Sequence, residues 1–297
     1  MEVELKLLLP PGSPQWELGR LTFLGPLSRV QTQALGNAYF DTPQLALRQR
    51  DMGLRIRRRG EDQEQTLKTA GQVAGGLHAR PEYNTPVSGA TPELARFPDT
   101  LWTVEDRDAI QGALAVQFHT DFERQQGELT LADGTRVELA LDRGVIRAGQ
   151  SSESIAELEL ELVDGEASAL LPLARALMTE LPLRLGLDSK AARGYRLAGL
   201  APQPAVVSEV ADTPALLLAA WQRNEERLLA GEGSAAAPLA RQLVALAAQL
   251  PVESADWLRY LAAELSAASE PEAVLLEAIR DRRYGLCQLS GLAGVLA

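Results

Sequence analysis

Cysteine is all but missing from this chain: Cys287 stands alone among 297 residues. One thiol excludes an internal disulfide and a cysteine-built zinc site. Histidine is nearly as rare, with only His78 and His119, and no Ser–His or Cys–His nucleophile pair is evident. His78 reads equally as a rim residue or as a plain surface one. Positive charge is in deficit, 29 basic residues against 40 acidic, for a net charge of −11. That balance argues against nucleic acid or an anionic membrane as a bulk partner. No apolar run approaches the roughly 18–20 residues of a membrane span. Glu2 without a basic stretch behind it does not read as a signal peptide, so a cytoplasmic protein is the expectation. No P-loop is present either.

Lysine is the most informative scarcity. Only Lys6, Lys68 and Lys190 break an otherwise all-arginine basic set. Compact ammonium charges kept in such a chain suit point contacts to phosphate, and scattered surface lysines are the plain alternative.

What the chain does have is alternation. In "EVELK" Glu2, Glu4 and Lys6 alternate with Val3 and Leu5, the period of a strand. "GLRIRR" sets Arg55 and Arg57 against Leu54 and Ile56, and "TLK" puts Thr66 and Lys68 opposite Leu67. "TRVELALDRG" places Arg136, Glu138 and Asp142 on one face, and "ELELEL" places Glu157, Glu159 and Glu161 on one face. Asp133-Gly134 suits a hairpin between two such strands. Helical patterns occur at about 13–24 and 168–181.

Near residue 200 the character changes. "PQPAVVSEVADTP" (202–214) reads as a linker, and Ala- and Leu-rich helical patterns follow at about 214–230, 235–250, 254–268 and 271–296, the last broken near Gly285. The expected division is 1–200, a 201–213 linker, and a helical 214–297.

A single strand of alternating glutamates is usually a wet face. Acid-only and base-only strands in one domain are harder to accept as such, because like charges two residues apart repel. Closing the sheet into a barrel, charges inward and helices over the apolar outer faces, answers the difficulty. Basic strands would then neutralise a polyanion, and glutamate strands would hold divalent metals bound by the same polyanion.

"EVELK" (2–6) resembles the ExExK signature of the CYTH, or triphosphate tunnel metalloenzyme, superfamily. "YFDTP" (39–43), "GLRIRR" (53–58), "TLK" (66–68), "ELELEL" (157–162) and "SKAARGY" (189–195) follow in that family's order. "GGLHARPEYN" (75–84) is similar to bacterial inorganic triphosphatases that join CYTH to a helical CHAD domain. The resemblance implies an α+β fold: an eight-stranded antiparallel β-barrel enclosing a triphosphate tunnel, covering helices, and a C-terminal helical domain. It implies a metal-dependent inorganic triphosphatase, releasing pyrophosphate and phosphate. A class IV-type adenylyl cyclase, a nucleoside or thiamine triphosphatase, and a non-catalytic polyphosphate-binding module stay open.

Carried over residue by residue, the resemblance makes Glu2, Glu4, Glu159 and Glu161 metal ligands for Mg²⁺ or Mn²⁺. Lys6, Arg55, Arg57, Lys68, Arg80, Arg124, Lys190 and Arg193 become the lining that grips inorganic triphosphate or a short polyphosphate. The catalytic set implied is Glu2, Glu4, Lys6, Arg55, Arg57, Glu159 and Glu161. Lys190 and Arg193, three apart, are expected to point into one opening. The roles of Glu82, Glu138 and Glu157 stay open, Glu157 between a tunnel-mouth acid and a structural one. The tail resembles the opening helices of a CHAD domain but is short for a complete one. Its net charge of −5, without lysine or histidine, sets it against polyphosphate binding. Packing on the barrel or a dimer contact is the plainer reading.

Overall fold

The computed structural model describes residues 1–14 and 16–296. In chain order the strands are β1 (Glu2–Leu8), β2 (Ser28–Asp41), β3 (Gly53–Arg59), β4 (Asp62–Lys68), β5 (Gln72–Ala74), β6 (Leu77–Arg80), β7 (Glu82–Pro86), β8 (Ala115–Thr130), β9 (Arg136–Ala148), β10 (Ser151–Asp164) and β11 (Arg184–Leu185). The helices are α1 (Val104–Ala113), α2 (Leu170–Glu180), α3 (Lys190–Leu197), α4 (Pro214–Leu229), α5 (Ala236–Ala247), α6 (Val252–Ala267), α7 (Pro271–Ala278) and α8 (Arg282–Leu296).

The strands form one antiparallel sheet curled back on itself. β1 pairs with β10 on one side, Glu4 opposite Glu161 and Lys6 opposite Glu159, and with β6 on the other, Glu2 opposite Arg80. From β10 the ladder runs through β9, β8, β2 and β3 to β4. β4–β5 and β6–β7 are the two arms of one long hairpin, with Lys68 facing Glu82 and Val73 facing His78. Its turn, Gly75-Gly76, has φ of 57° and 101°, the left-handed pair that a tight two-residue turn demands. Since β6 returns to β1, the continuous chain makes a ring of eight strands, to which the short β11 adds at the end of β1. The turn at Asp133-Gly134 closes as expected, Gly134 at φ 91° and the Thr135 amide donating to Asp133 Oδ1 at 2.9 Å.

Strand phase divides inside from outside. Leu5, Leu7, Val137, Leu139, Leu141, Leu158 and Leu160 turn outward and are fully buried under α2 and the tail helices, in a single core that includes Trp221, Leu239, Leu258 and Leu292. Burial of each such leucine contributes roughly 1.5–3 kcal/mol. Leu54, Ile56 and Leu67 are covered on their own outer face by α1 and neighbouring turns. The inward face is charged along only part of its length. Leu35, Tyr39, Phe118, Phe122, Ile146 and Ile155 share that phase and pack with Tyr195 of α3 as an apolar plug.

Two local expectations differ from the fold. Residues 18–24 form two 3-10 turns, Leu18–Arg20 and Thr22–Leu24, rather than one helix; Leu18 and Leu21, three apart, are the buried pair. Gln15 lies outside the described residues. The last helical pattern breaks at 279–281, where Asp281 accepts from the Arg283 amide, and not at Gly285. Gly285 lies inside α8, where the helix meets Leu183 so closely that a Cβ would overlap its carbonyl oxygen. Among the described residues no helix is long and apolar enough to cross a membrane.

Candidate active site

Alternation places Glu2, Glu4 and Lys6 of β1, Arg55 and Arg57 of β3, Thr66 and Lys68 of β4, Arg124 of β8, and Glu159 and Glu161 of β10 around one cavity. Arg80, Glu82, Tyr39, Ser189 and Lys190 complete most of its wall, and the empty space, mouth included, is about 700 Å³. All three lysines face this cavity. Of the metal ligands and phosphate-gripping residues that the resemblance implies, only Arg193 is absent from the lining; Glu138 and Glu157, whose roles were open, lie off it too. Ser189 caps α3 by accepting from the Ala192 amide, which sends Lys190 into the cavity. Arg193, three residues on, lies behind the wall, donating to Glu153 at 2.6 Å and to Glu157 Oε2 at 3.2 Å.

The deep end is a closed network of ion pairs. Lys190 Nζ lies 2.6 Å from Asp142 and 3.1 Å from Glu159, and also contacts Glu157. Lys6 Nζ donates to Glu157 at 2.9 Å and to Glu159. Arg124 clasps Asp142 with two bonds of 2.7 Å and reaches Glu159 at 2.6 Å. Burial alone would lower Lys6, but Glu157 and Glu159 hold its pKa well above the ordinary lysine value. Burial alone would raise Glu159, yet Lys190, Lys6 and Arg124 hold it well below the carboxylate range. Glu157 is therefore no tunnel-mouth acid: fully enclosed, it bridges lumen and back wall.

Nearer the mouth the charges are not matched. Arg55 Nε and Arg80 Nε are enclosed without a hydrogen-bond acceptor. Arg57 donates to Asn37 Oδ1 at 3.0 Å, but burial and the adjacent Arg55 and Arg124 push its pKa down to about 9. On the acidic side Lys68 neutralises Glu2 at 2.6 Å and Glu82 at 2.7 Å. Burial opposes, yet Lys68 and Arg55 lower Glu82 to about 2. Arg80 stands 3.8 Å from both Glu2 and Glu4. Glu161 has neither ion pair nor hydrogen bond among the described residues, and burial with Glu2 beside it pushes its carboxyl up to about 7. The tightest acidic triad is Asp142, Glu157 and Glu159, but the Lys190 ammonium touches all three. The lining carboxylate that meets no cation, and so the hard donor best suited to a divalent one, is Glu161.

His78 is buried beneath the cavity wall, and burial and Lys6 lower its pKa to about 4. Tyr39 and Ser189 escaped the sequence reading as lining residues, and Thr66 entered it only by its phase with Lys68. Asp142, recognised only by its phase with Glu138, holds two of the cations.

A family model for the CYTH domain matches residues 1–195. An inorganic triphosphatase of Haemophilus influenzae is 37% identical over 201 residues, 66% of this chain and 54% of that protein. The chain thus spans about half the length of the curated relative it matches. Among solved structures, an adenylyl cyclase candidate from Hippeastrum, described with a dominant triphosphatase activity, aligns at 20% identity and a TM-score of 0.48, covering 66% of this chain and 96% of its own. An adenylate cyclase candidate from Bacillus halodurans aligns at 22% and 0.39, covering 60% and 89%.

Proposed function

Because the chain belongs to the CYTH family, we propose that it is a metal-dependent inorganic triphosphatase, cleaving triphosphate to pyrophosphate and phosphate inside its tunnel. One observation carries this reading. A single cavity holds enclosed guanidinium nitrogens without an acceptor and a half-buried carboxylate, Glu161, without a cation. A metal–polyphosphate complex meets both demands at once.

In this reading Arg55, Arg57, Arg80 and Lys68 grip the phosphates, and Arg124 and Lys6 fix the inner wall against which they lie. Glu2, Glu4 and Glu161, together with Glu159, would hold Mg²⁺ or Mn²⁺. A bound divalent ion supplies charge neutralisation on the phosphates and a more acidic water. The arginine fork spreads the charge that builds on the departing pyrophosphate, which is where phosphoryl transfer gains most. The reaction belongs to residues 1–200 in this scheme, with 201–213 as linker and 214–297 as a supporting helical unit that resembles a partial CHAD domain.

The deciding experiment measures phosphate release from inorganic triphosphate, ATP and thiamine triphosphate with Mg²⁺ or Mn²⁺, alongside cyclic AMP formation. Triphosphate is expected to be the preferred substrate, with cleavage lost in Glu4→Gln and Glu161→Gln proteins that keep their fold. Cyclic AMP as main product, or binding of triphosphate without cleavage under either metal, overturns the assignment.

A further inference from the structure

Among the described residues, four arginines have enclosed guanidinium nitrogens that meet no acceptor: Arg55, Arg80, Arg143 and Arg184. The first two line the tunnel. The other two line a second cavity, a groove of about 1540 Å³, mouth included, between the outer barrel wall and α4. The feature that marks the tunnel as an anion site thus recurs at one other place.

We propose that this groove is a second anion-binding site, taking inorganic phosphate or pyrophosphate, with Arg143 as its principal ligand. Arg143 shares the outward phase of Leu141 on β9, and both its Nε and its Nη2 are shielded from water without a partner. Its guanidinium lies 5.9 Å from the Trp16 ring centre, a cation–π contact that orients the plane of the fork. Arg184 turns one nitrogen to buried Glu225 and leaves Nε uncommitted. Five arginines and three acids line the groove. Two of the acids are already neutralised, Glu153 by Arg193 and Asp188 by Arg196, each at 2.6 Å. Arg227 is likewise held by Glu232 and Arg184 by Glu225, which leaves Arg143 as the lining arginine without an ion pair among the described residues, and a planar fork with two free N–H groups is the geometry that phosphate oxygens satisfy.

The groove touches the tunnel through one side chain. Arg193, in the groove lining, donates to one oxygen of Glu157, while the other oxygen receives Lys6 and Lys190 inside the barrel. The groove and the lumen are thus joined through Arg193 and Glu157, and the two cavities share no lining residue.

Calorimetric titration of the full chain with pyrophosphate and then orthophosphate, without metal so that nothing turns over, tests the site independently of the hydrolysis reading. The expected result is a binding event present in wild type and in Arg55→Gln, weakened about ten-fold or more in Arg143→Gln, and abolished in Arg143→Glu. Arg143 is partly exposed and forms no ion pair, so both variants are expected to fold, with circular dichroism as the check. If every pyrophosphate event disappears in Arg55→Gln, or if Arg143→Glu titrates like wild type, the groove is not an anion site.

Discussion

Replacing Arg57 by methionine should make the empty protein more stable and the liganded protein less so. Arg57 faces Arg55 and Arg124 inside the barrel, and burial with those two neighbours lowers its pKa from 12.5 to about 9. At pH 7 the guanidinium is charged in the folded and unfolded chain alike, so the folded state carries the whole penalty, which fades only above about pH 9. At about 1.4 kcal/mol per unit the upper bound is about 5 kcal/mol. Water at the cavity mouth and local relaxation reduce that to about 2 kcal/mol. Loss of the 3.0 Å bond to Asn37 returns about 1 kcal/mol. The net gain of about 1 kcal/mol corresponds to a melting temperature higher by about 2–3 °C. Triphosphate at a hundred times its Kd should stabilise wild type by about 2.7 kcal/mol and the variant far less. Differential scanning calorimetry with and without triphosphate reads both halves. A variant that melts lower than wild type when empty, or keeps the full ligand-induced rise, refutes the placement of this arginine in an anion-seeking lumen.

Lys6→Met should behave oppositely, costing about 3–5 kcal/mol in urea unfolding, because Glu157 and Glu159 lose a buried counter-charge; a loss under 1 kcal/mol would contradict the ion-pair network. Gly285→Ala should cost more than 2 kcal/mol, since the added methyl collides with the Leu183 carbonyl, and a neutral effect by thermal melting would show that α8 can move away. Glu226, raised to about 7 by burial and Asp188, favours the folded state when protonated. Its contribution is complete below about pH 4.5 and is lost as pH rises through about 7, worth about 1–3 kcal/mol. Unfolding of Glu226→Gln should show a flatter pH slope over that window than wild type does.

The barrel was legible because strand phase is written in alternation: Leu5, Leu7, Leu158 and Leu160 could only be buried if Glu4, Lys6, Glu157 and Glu159 faced the other way. The apolar half of the lumen was not, since Phe118 and Phe122 carry the same phase as Arg124 and nothing in composition says which end α3 will plug. Spacing placed Lys190 but misplaced Arg193. Three residues on a short helix turn far enough to cross a wall one side chain thick, and only the cap at Ser189 decides which of the two looks inward. The missing aromatic, Tyr39, was hidden for a related reason. Its site depends on which neighbour β3 chooses, and Arg55 opposite Tyr39 is a pairing of register, not of sequence.

The position of β1 has a consequence in time. Strand β1 pairs with β6, with β10 and with β11, so its partners end at residues 80, 164 and 185. β1 can meet β6 early, but its pairing with β10 waits until the chain has passed residue 157, and pairings at such separation are slow to form. Until then the growing sheet has a gap where β1 belongs, and its inner glutamates and arginines stay hydrated. The acids and bases that make the tunnel costly to dry are what keep the half-made sheet in solution. The pairing of β1 with β10 closes the ring, and with it the cavity comes into existence as a late and single event.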